Sequence, residues 1–399
     1  MANTLLTPTA VTREALRILH QKLTFIGSIN RQYDDSFAKE GAKIGDTLKI
    51  RLPNQYTVTS GATLVTQDTS ETSVSLQVAT QKHVGMNFTS AELTMSMDDF
   101  SKRIIEPAMA VLAANVEADA LGTMRKDVYQ QANNIAAAIT FANVLAGRRK
   151  LNDALAPPGD RTALLSSNDS ANLVDALKGL FQDDGQIAKQ YREGYMGRTA
   201  GFDFAESTHL STQTRGAGDA AYVVNTSSGV TSGSATIAVT AGTGTIRQGE
   251  VITIAGIDGV HPESKVDTGV LQQFVVTADY AGGAGNITVS PVPVTSGATQ
   301  NVVINSAGAS KAVVIAGTAS TNYGQSMVYQ KDAFTFATAD LVMPKGVDWG
   351  AREVYDGISL RIVRDYDINN DRLPTRCDIL YGYKTLRPQL ACRLANLAG

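Results

Sequence analysis

Residues 47–52, Thr-Leu-Lys-Ile-Arg-Leu, and residues 73–78, Ser-Val-Ser-Leu-Gln-Val, alternate apolar and polar side chains with a period of two. Leu48, Ile50 and Leu52 fall on one face of the first run, and Val74, Leu76 and Val78 on one face of the second. That period is the signature of half-buried strands. Between the runs, residues 57–70 are rich in Thr, Ser and Gly and carry no such pattern. The whole of 46–88 therefore reads as a long hairpin with a polar tip, each arm of about 11 residues reaching roughly 36 Å.

Downstream of the hairpin the period changes. Phe100, Ile104, Ile105, Met109, Leu112, Val116, Leu121, Met124 and Val128 recur at threes, fours and fives, which predicts one long helix over 98–131. Lys102, Arg103, Glu117, Lys126 and Asp127 are expected to face water. Pro107 either kinks this helix or marks the first turn of its main segment. Unbroken, the helix would be about 50 Å long. Both elements outreach the radius of gyration of about 21 Å expected for a compact chain of this size. Elements of that length make sense if neighbouring subunits supply the surfaces they bury. A bundle or coiled coil is the plainer reading of the helix, and no sustained heptad supports the coiled coil.

Upstream, residues 9–23 predict a short amphipathic helix capped by Thr9 or Thr12, with Leu16, Leu19 and Leu23 on one face. Residues 30–45 are polar and Gly-containing and read as an arm or loop. After the long helix, Thr140 can cap a helix carrying Phe141, Val144, Leu145, Leu151 and Leu155, stopped by Pro157 and Pro158. Asn168 can cap another carrying Leu173, Val174, Leu177 and Leu180.

The composition shifts near residue 222. From there to 316 the chain is rich in Val, Thr, Gly and Ser and poor in charge, with short strand signals at 235–240, 251–255, 273–277, 287–290 and 302–305. Gly clusters such as Gly282-Gly283 punctuate them. The segment reads as an antiparallel β-barrel inserted as its own domain. Residues 317–399 return to mixed chemistry, with long strands expected at 358–363 and 378–383.

Composition bounds the function. The 399 residues carry 35 Lys and Arg against 38 Asp and Glu, a formal net charge of −3. This near balance argues against a dedicated nucleic-acid binder, although it allows an assembly with a polar inner wall. Hydrophobic residues at 43% place the chain outside the disordered class. Aromatics at 6% with 35 Gly suit many short strands and turns better than one dense core. The two cysteines, Cys377 and Cys392, match no metal or redox spacing and read as small buried hydrophobes. Neither a signal peptide nor an apolar run long enough to span a bilayer is expected. Synthesis in a cytoplasm follows from that reading.

The search for chemistry nominates no catalytic, cofactor-binding or metal-ligating residue. His20, His83, His209 and His261 lack zinc spacing. His261, Glu263 and Asp267 could form a metal corner, but a turn is the better home for them. Gly242, Gly244 and Gly249 match neither phosphate-loop spacing, so turns explain them too. The run from Asp365 through Asp367, Asn369 and Asp371 begins like a calcium loop. It then places Asn370 where Gly is needed and Arg376 where a bidentate Glu is needed. A charged hairpin loop is the expectation there. Asn87-Phe-Thr89 and Asn286-Ile-Thr288 fit the glycosylation pattern, which means nothing without secretion.

The order of elements, and three segments in particular, resemble the P22-like bacteriophage coat proteins of the HK97-type capsid fold. The first runs from Asn30-Arg31-Gln-Tyr33 to Phe37, then Gly41-Ala-Lys43-Ile-Gly45-Asp-Thr47 and Ile50-Arg51-Leu-Pro53. The second runs from Phe100 to Asn115-Val116-Glu117-Ala-Asp119, and the third from Tyr381-Gly382 to Arg387-Pro388. The resemblance implies an α+β chain with an N-terminal helix and arm at 1–45, an E-loop hairpin at 46–88 and a P-domain spine helix at 89–134. An A-domain would begin at 135–221, break for the inserted barrel (I-domain) at 222–316, and finish with the P-domain in return strands at 317–399. It implies a major capsid protein of a tailed phage that catalyses nothing and encloses double-stranded DNA in an icosahedral shell. The implied partners are other copies in hexamers and pentamers, a scaffolding protein and a portal. A decoration protein is admitted as a further partner, the packaged DNA as a non-specific neighbour, and a membrane is not. Relatives of this fold can cross-link through a Lys and an Asn. Lys43, Lys49 and Lys82 flank the hairpin, but P22-like relatives do not use that chemistry and none is assigned here.

Two other classes stay open. An encapsulin-like compartment would share the fold and enclose an enzyme cargo. A bacterial surface adhesin would suit the Thr/Gly-rich segment, against the missing signal peptide and the helical first half.

Overall fold

The computed structural model describes residues 8–31, 47–68, 71–88, 101–177, 197–225, 230–305, 311–369 and 372–397. The chain is mixed α+β, mostly strands with few helices. It falls into two compact units. One is built from Met1–Arg51, Ser73–Leu121 and Phe334–Leu386, the other from Leu52–Thr72, Gly122–Ala333 and Arg387–Gly399.

The first unit is organised by one long strand, Leu373–Thr385. Phe334–Ala339 and Ile358–Arg364 pair with one side of it, along residues 380–385 and 375–378, and Thr80–Phe88 with the other side; Trp349–Tyr355 follows Ile358–Arg364, and all of these pairings are antiparallel. Asn30–Arg31 adds a short parallel edge to Phe334–Ala339. The remainder of the expected arm, 32–45, lies outside the described residues. Aromatic side chains knit the layer: Phe336 stacks on Tyr381 with ring centroids 5.6 Å apart, and Phe25 meets Phe334 edge-on at 5.6 Å. Pro8–Lys22 is the expected first helix, and it buries Val11, Leu16, Ile18 and Leu19.

The hairpin forms, and its alternating apolar side chains meet across it. Thr47–Arg51 runs antiparallel to Ser73–Gln77, with Leu48 opposite Leu76 and Ile50 opposite Val74. Leu48, Ile50 and Leu76 pack with Val78, Ala337, Ala339 and Leu380. Its extent differs from the expectation. The paired arms are 5 residues each, closed by a bond from Leu52 N–H to the Thr72 carbonyl. Pro53 just beyond this bond has no N–H for a ladder. The last part of 46–88 belongs elsewhere: Thr80–Phe88 pairs antiparallel with residues 373–381 of the long strand.

The long helix is shorter than 98–131. A π turn at Ser101–Ile105 leads into an α-helix, Glu106–Met124, and a 3₁₀ turn at Arg125–Asp127 ends it. Gln131 already lies in a strand, and Phe100 lies outside the described residues. Pro107 sits in the first α turn. Having no N–H for the carbonyl four residues back, it leaves the preceding turn to widen. Ile105, Met109, Leu112, Val116 and Leu121 are buried as the spacing requires. Glu117 is a correction. It is buried rather than facing water, because its carboxylate takes the backbone N–H groups of Thr24 at 2.9 Å and Phe25 at 3.0 Å.

The second unit contains two sheets. In one, Asn322–Gln330 lies between Ala391–Leu397 and Arg161–Leu165. Gln131–Asn134 extends the first side, and Phe202–Glu206 then Arg198–Thr199 extend the second. The helix Phe141–Asp153 lies so close on this sheet that a Cβ at Gly147 would come within 2.7 Å of Val328. Its start is fixed by the Thr140 N–H donating to Asn143 Oδ1 at 3.0 Å. Leu155 falls beyond its end. The next helix, Ser167–Leu177, begins one residue before the expected cap Asn168. Ser166 takes that role, its Oγ accepting the Asp169 N–H at 3.2 Å. Leu180 lies outside the described residues.

The other sheet comprises the described strands between 223 and 315, all antiparallel. Its order is Val223–Val224, Thr236–Ala241, Gly285–Ser290, Asp267–Val276 and Val251–Val260, with Val302–Ile304 and Val313–Ile315 both on the last. Val224 N–H also donates to the Lys311 carbonyl at 2.8 Å, and Val313 N–H to the Tyr222 carbonyl at 2.9 Å, joining Val223–Val224, first in sequence, to Val313–Ile315, last in sequence. Ile237, Val239, Ile252, Ile254, Phe274, Ile287 and Val289 form one buried cluster beneath it. Fully buried Arg393, in the neighbouring sheet of this unit, donates to the Gly249 carbonyl at 2.6 Å. Burial, followed by the nearby Arg125 charge, brings the Arg393 guanidinium down to about 9.

Candidate assembly interface

The loop 52–72 between the hairpin strands carries apolar side chains where water would be the default neighbour. Val58 is 98% exposed and Leu64 is 86% exposed. Tyr56 and Val65 are exposed as well. Gln67 braces the loop from within, its Nε2 donating to the Thr57 carbonyl at 2.5 Å and its Oε1 accepting the Thr57 N–H at 3.0 Å. Single exposed apolar residues are ordinary, but several on one loop mark a surface suited to a cover.

Within the first unit, side chains bond the long helix to the central strand and to Thr80–Phe88. Asp119 on the helix accepts the Tyr381 hydroxyl at 2.6 Å and the Tyr383 hydroxyl at 3.3 Å. Burial and the Asp119 carboxylate both push the Tyr381 phenol above its ordinary range. Lys82 donates to the Asn115 carbonyl at 3.1 Å and lies 3.6 Å from Asp119. Lys82 thus ties the strand Thr80–Phe88 to the helix. Lys49 is exposed, and Lys43 lies outside the described residues. At Gly382 a Cβ would stand 2.2 Å from the Gln77 carbonyl oxygen, so only glycine lets the hairpin reach the central strand.

Asp378, fully buried in that strand, gathers Arg361 Nη2 at 2.6 Å, Arg376 Nε at 2.6 Å and Gln81 Nε2 at 3.2 Å. Burial pushes its carboxyl up. The hydrogen bonds from Arg361 and Arg376, with the charge of Arg361, outweigh this and hold it below the usual range.

The residues considered for chemistry are occupied locally. His261 Nδ1 accepts the N–H groups of Glu263 and Ser264 at 3.3 and 3.2 Å, while Asp267 accepts the Gly269 N–H at 2.8 Å and Asn305 Nδ2 at 2.6 Å. Gly242, Gly244 and Gly249 all have positive φ. A Cβ at Gly242 would strike the Tyr222 ring, and one at Gly244 the Ala217 carbonyl. Asp367 and Arg372 exchange backbone bonds across the loop between Ile358–Arg364 and Leu373–Thr385. Asn370 and Asp371 lie outside the described residues. His20 pairs with Asp356 at 2.8 Å, His83 approaches Arg376 at 3.4 Å, and the His209 N–H donates to Ser207 Oγ at 3.2 Å. Cys377 and Cys392 are buried and unpaired to each other, and burial pushes their thiols up to about 12 and about 11. Among the described residues, no group of three or more His, Cys, Asp and Glu is placed to hold a metal ion. Among them too, no helix is long and apolar enough to cross a membrane.

The sequence model of the family described as "P22 coat protein - gene protein 5" matches residues 33–394. No curated protein matches the chain. Among solved structures, one from Mycobacterium phage Che8 aligns with TM-score 0.46 at 11% identity, covering 93% of this chain and 90% of that one. The mature capsid of bacteriophage PhiM1 aligns with TM-score 0.45 at 11% identity, covering 94% and 86%. A virus-like particle from Pyrococcus furiosus aligns with TM-score 0.35 at 7% identity, covering 97% and 98%.

Proposed function

The chain belongs to the P22 coat protein family, and from that premise we propose how its parts build a shell. It is the major capsid protein of a tailed bacteriophage, a structural subunit that assembles with copies of itself into the virion capsid. That membership favours a genome-enclosing shell over a cargo-enclosing compartment or a surface adhesin.

In our reading the loop 52–72 is the tip of an E-loop that lies on a neighbouring copy in hexamers and pentamers of an icosahedral shell. The observation that carries this is the exposure of Val58 and Leu64 on that loop. Covering them on an adjacent subunit removes apolar surface from water and orders the loop at the same time. The helix Glu106–Met124, with the sheet around Leu373–Thr385, serves as the peripheral P-domain and spine. The sheet around Asn322–Gln330 serves as the central A-domain.

Residues 222–316 are an inserted barrel within that A-domain. Three features support this: the all-antiparallel order, the bonds joining first and last strands, and the separate apolar cluster beneath them. A scaffolding protein during assembly and a portal at one vertex complete the partner set. A decoration protein outside and packaged DNA inside are further neighbours, and synthesis takes place in the host cytoplasm. The partner reading is tested by expressing the chain with and without the interior protein encoded beside it and imaging the particles. Uniform closed shells only in its presence support a scaffold. Identical shells in both cases count against one.

A further inference from the structure

Arg215 stands where the chain passes into residues 222–316, and its guanidinium reaches both legs of that passage. Nη2 donates to the Gly218 carbonyl at 2.9 Å on the ingoing leg, and Nη1 donates to the Gly317 carbonyl on the outgoing leg. The backbone repeats the connection. Arg215 N–H donates to the Thr321 carbonyl at 3.0 Å, and Ser320 N–H to the Gly216 carbonyl at 3.2 Å. The side chain is largely buried. We infer that Arg215 is a positioning residue, a clamp that closes the two ends of the inserted segment on each other and fixes its orientation on the host sheet. The inference rests on reading 222–316 as an inserted domain.

Three glycines make the junction stiff where their composition would suggest a flexible linker. A Cβ at Gly216 would stand 2.1 Å from the Thr245 carbonyl oxygen, and one at Gly218 would stand 2.9 Å from Ile315 Cδ1. Gly317 has φ +97°, and a Cβ there would come within 2.6 Å of the Tyr323 ring. These glycines allow close approach of backbones rather than free rotation. The ingoing leg is also bonded to the inserted segment itself. Gly218 N–H donates to the Thr245 carbonyl at 2.9 Å, Asp219 N–H to the Thr243 carbonyl at 3.0 Å, and Gly216 N–H to Glu250 Oε1 at 2.5 Å.

Arginine suits this place for a geometric reason. Its planar fork offers separate nitrogens in fixed directions, so one side chain can serve two carbonyls on two strands. A lysine ammonium is a single nitrogen on a flexible stem. It keeps the charge and loses the bridge. In a shell, every copy must present the inserted domain in one orientation for neighbouring contacts to repeat, and a clamp at its root supplies that uniformity.

The test is hydrogen exchange by mass spectrometry on the unassembled full-length chain, comparing the natural protein with Arg215→Met and Arg215→Lys. The reporters are junction peptides containing Gly218, Asp219 and Ser320, segment-core peptides containing Ile237 and Ile252, and host-sheet peptides containing Met327 and Val328. In both variants, junction exchange is expected to rise at least tenfold with the segment core unchanged. Arg215→Lys should also give fewer closed shells despite its intact fold. Junction exchange at the natural rate in Arg215→Lys overturns the clamp. That variant carries the test if Arg215→Met fails to fold, and its own failure to fold also overturns the proposal, because a clamp leaves the rest of the fold standing. The domain reading is judged separately in the natural protein. Segment-core and host-sheet peptides opening together at one rate would sink that reading without bearing on the junction result.

Discussion

The Tyr381 hydroxyl donates a 2.6 Å hydrogen bond to the Asp119 carboxylate, pinning the long helix to the central strand of the first unit. Tyr381 is fully buried, so its hydroxyl has no water to fall back on. Asp119→Ala is expected to cost about 1–3 kcal/mol by leaving that donor unpaired, whereas Tyr381→Phe removes the donor itself and costs about 0.5–1.5 kcal/mol. Urea unfolding of both variants checks the order. A smaller loss for Asp119→Ala than for Tyr381→Phe would contradict it.

Glu117 makes a comparable anchor for the chain near Phe25. Glu117→Ala strips the acceptors from two backbone N–H groups and should cost about 1–3 kcal/mol. Glu117→Gln keeps one carbonyl oxygen and should recover part of that loss. Amide exchange at Thr24 and Phe25 reads the effect locally. Protection there equal to the natural protein in Glu117→Ala would remove the anchor from the account.

The Asp378 cluster sets an acid limit on the first unit. Its folded-state carboxyl titrates below the ordinary 3.8. Its contribution is therefore fully present above that value and is lost as pH falls through the folded pKa. Asp378→Asn should lower stability at neutral pH by about 2–4 kcal/mol, toward the low side of a broken buried pair, because the Arg376 side chain is 48% exposed. Stability of the variant should also depend less on pH below 3.8. Denaturation midpoints measured from pH 3 to 7 test both points. A variant as acid-sensitive as the natural protein would assign the acid limit to another group.

Much of this architecture was legible from period alone. The hairpin's strands and apolar faces followed from Leu48, Ile50, Val74 and Leu76, and the strands between 223 and 315 from alternations such as Ile237 and Val239. What escaped was decided by distant parts of the chain. Glu117 looks like a solvated charge locally. Its spacing of four from both Ala113 and Leu121 placed it on the buried stripe and was the available clue. Thr80–Phe88 continues the hairpin in sequence, but its partner lies almost 300 residues away, where no local pattern can point. The Asp119–Tyr381 bond lay within two of the segments that carried the family resemblance, yet nothing in either segment says they touch. Arg215 sits in a stretch without periodicity, and its role emerges only when both legs of the insertion are seen side by side.

The loop 52–72 should matter to assembly more than to folding. Replacing residues 57–70 with a short Gly/Ser linker leaves the paired strands Thr47–Arg51 and Ser73–Gln77 intact. The monomer should keep its circular dichroism spectrum and lose the ability to form stable shells. Normal shells with unchanged heat stability from that variant would refute the role given to Val58 and Leu64.

The central claim is that this chain closes into shells with copies of itself. Sedimentation velocity of the purified full-length protein over a range of concentrations, alone and with its scaffold, followed by electron microscopy of the heavy fractions, addresses it directly. The account predicts capsomers, closed shells or aberrant tubes in the heavy fractions. A species that sediments as a single chain under every condition, with no particles on the grid, would contradict it.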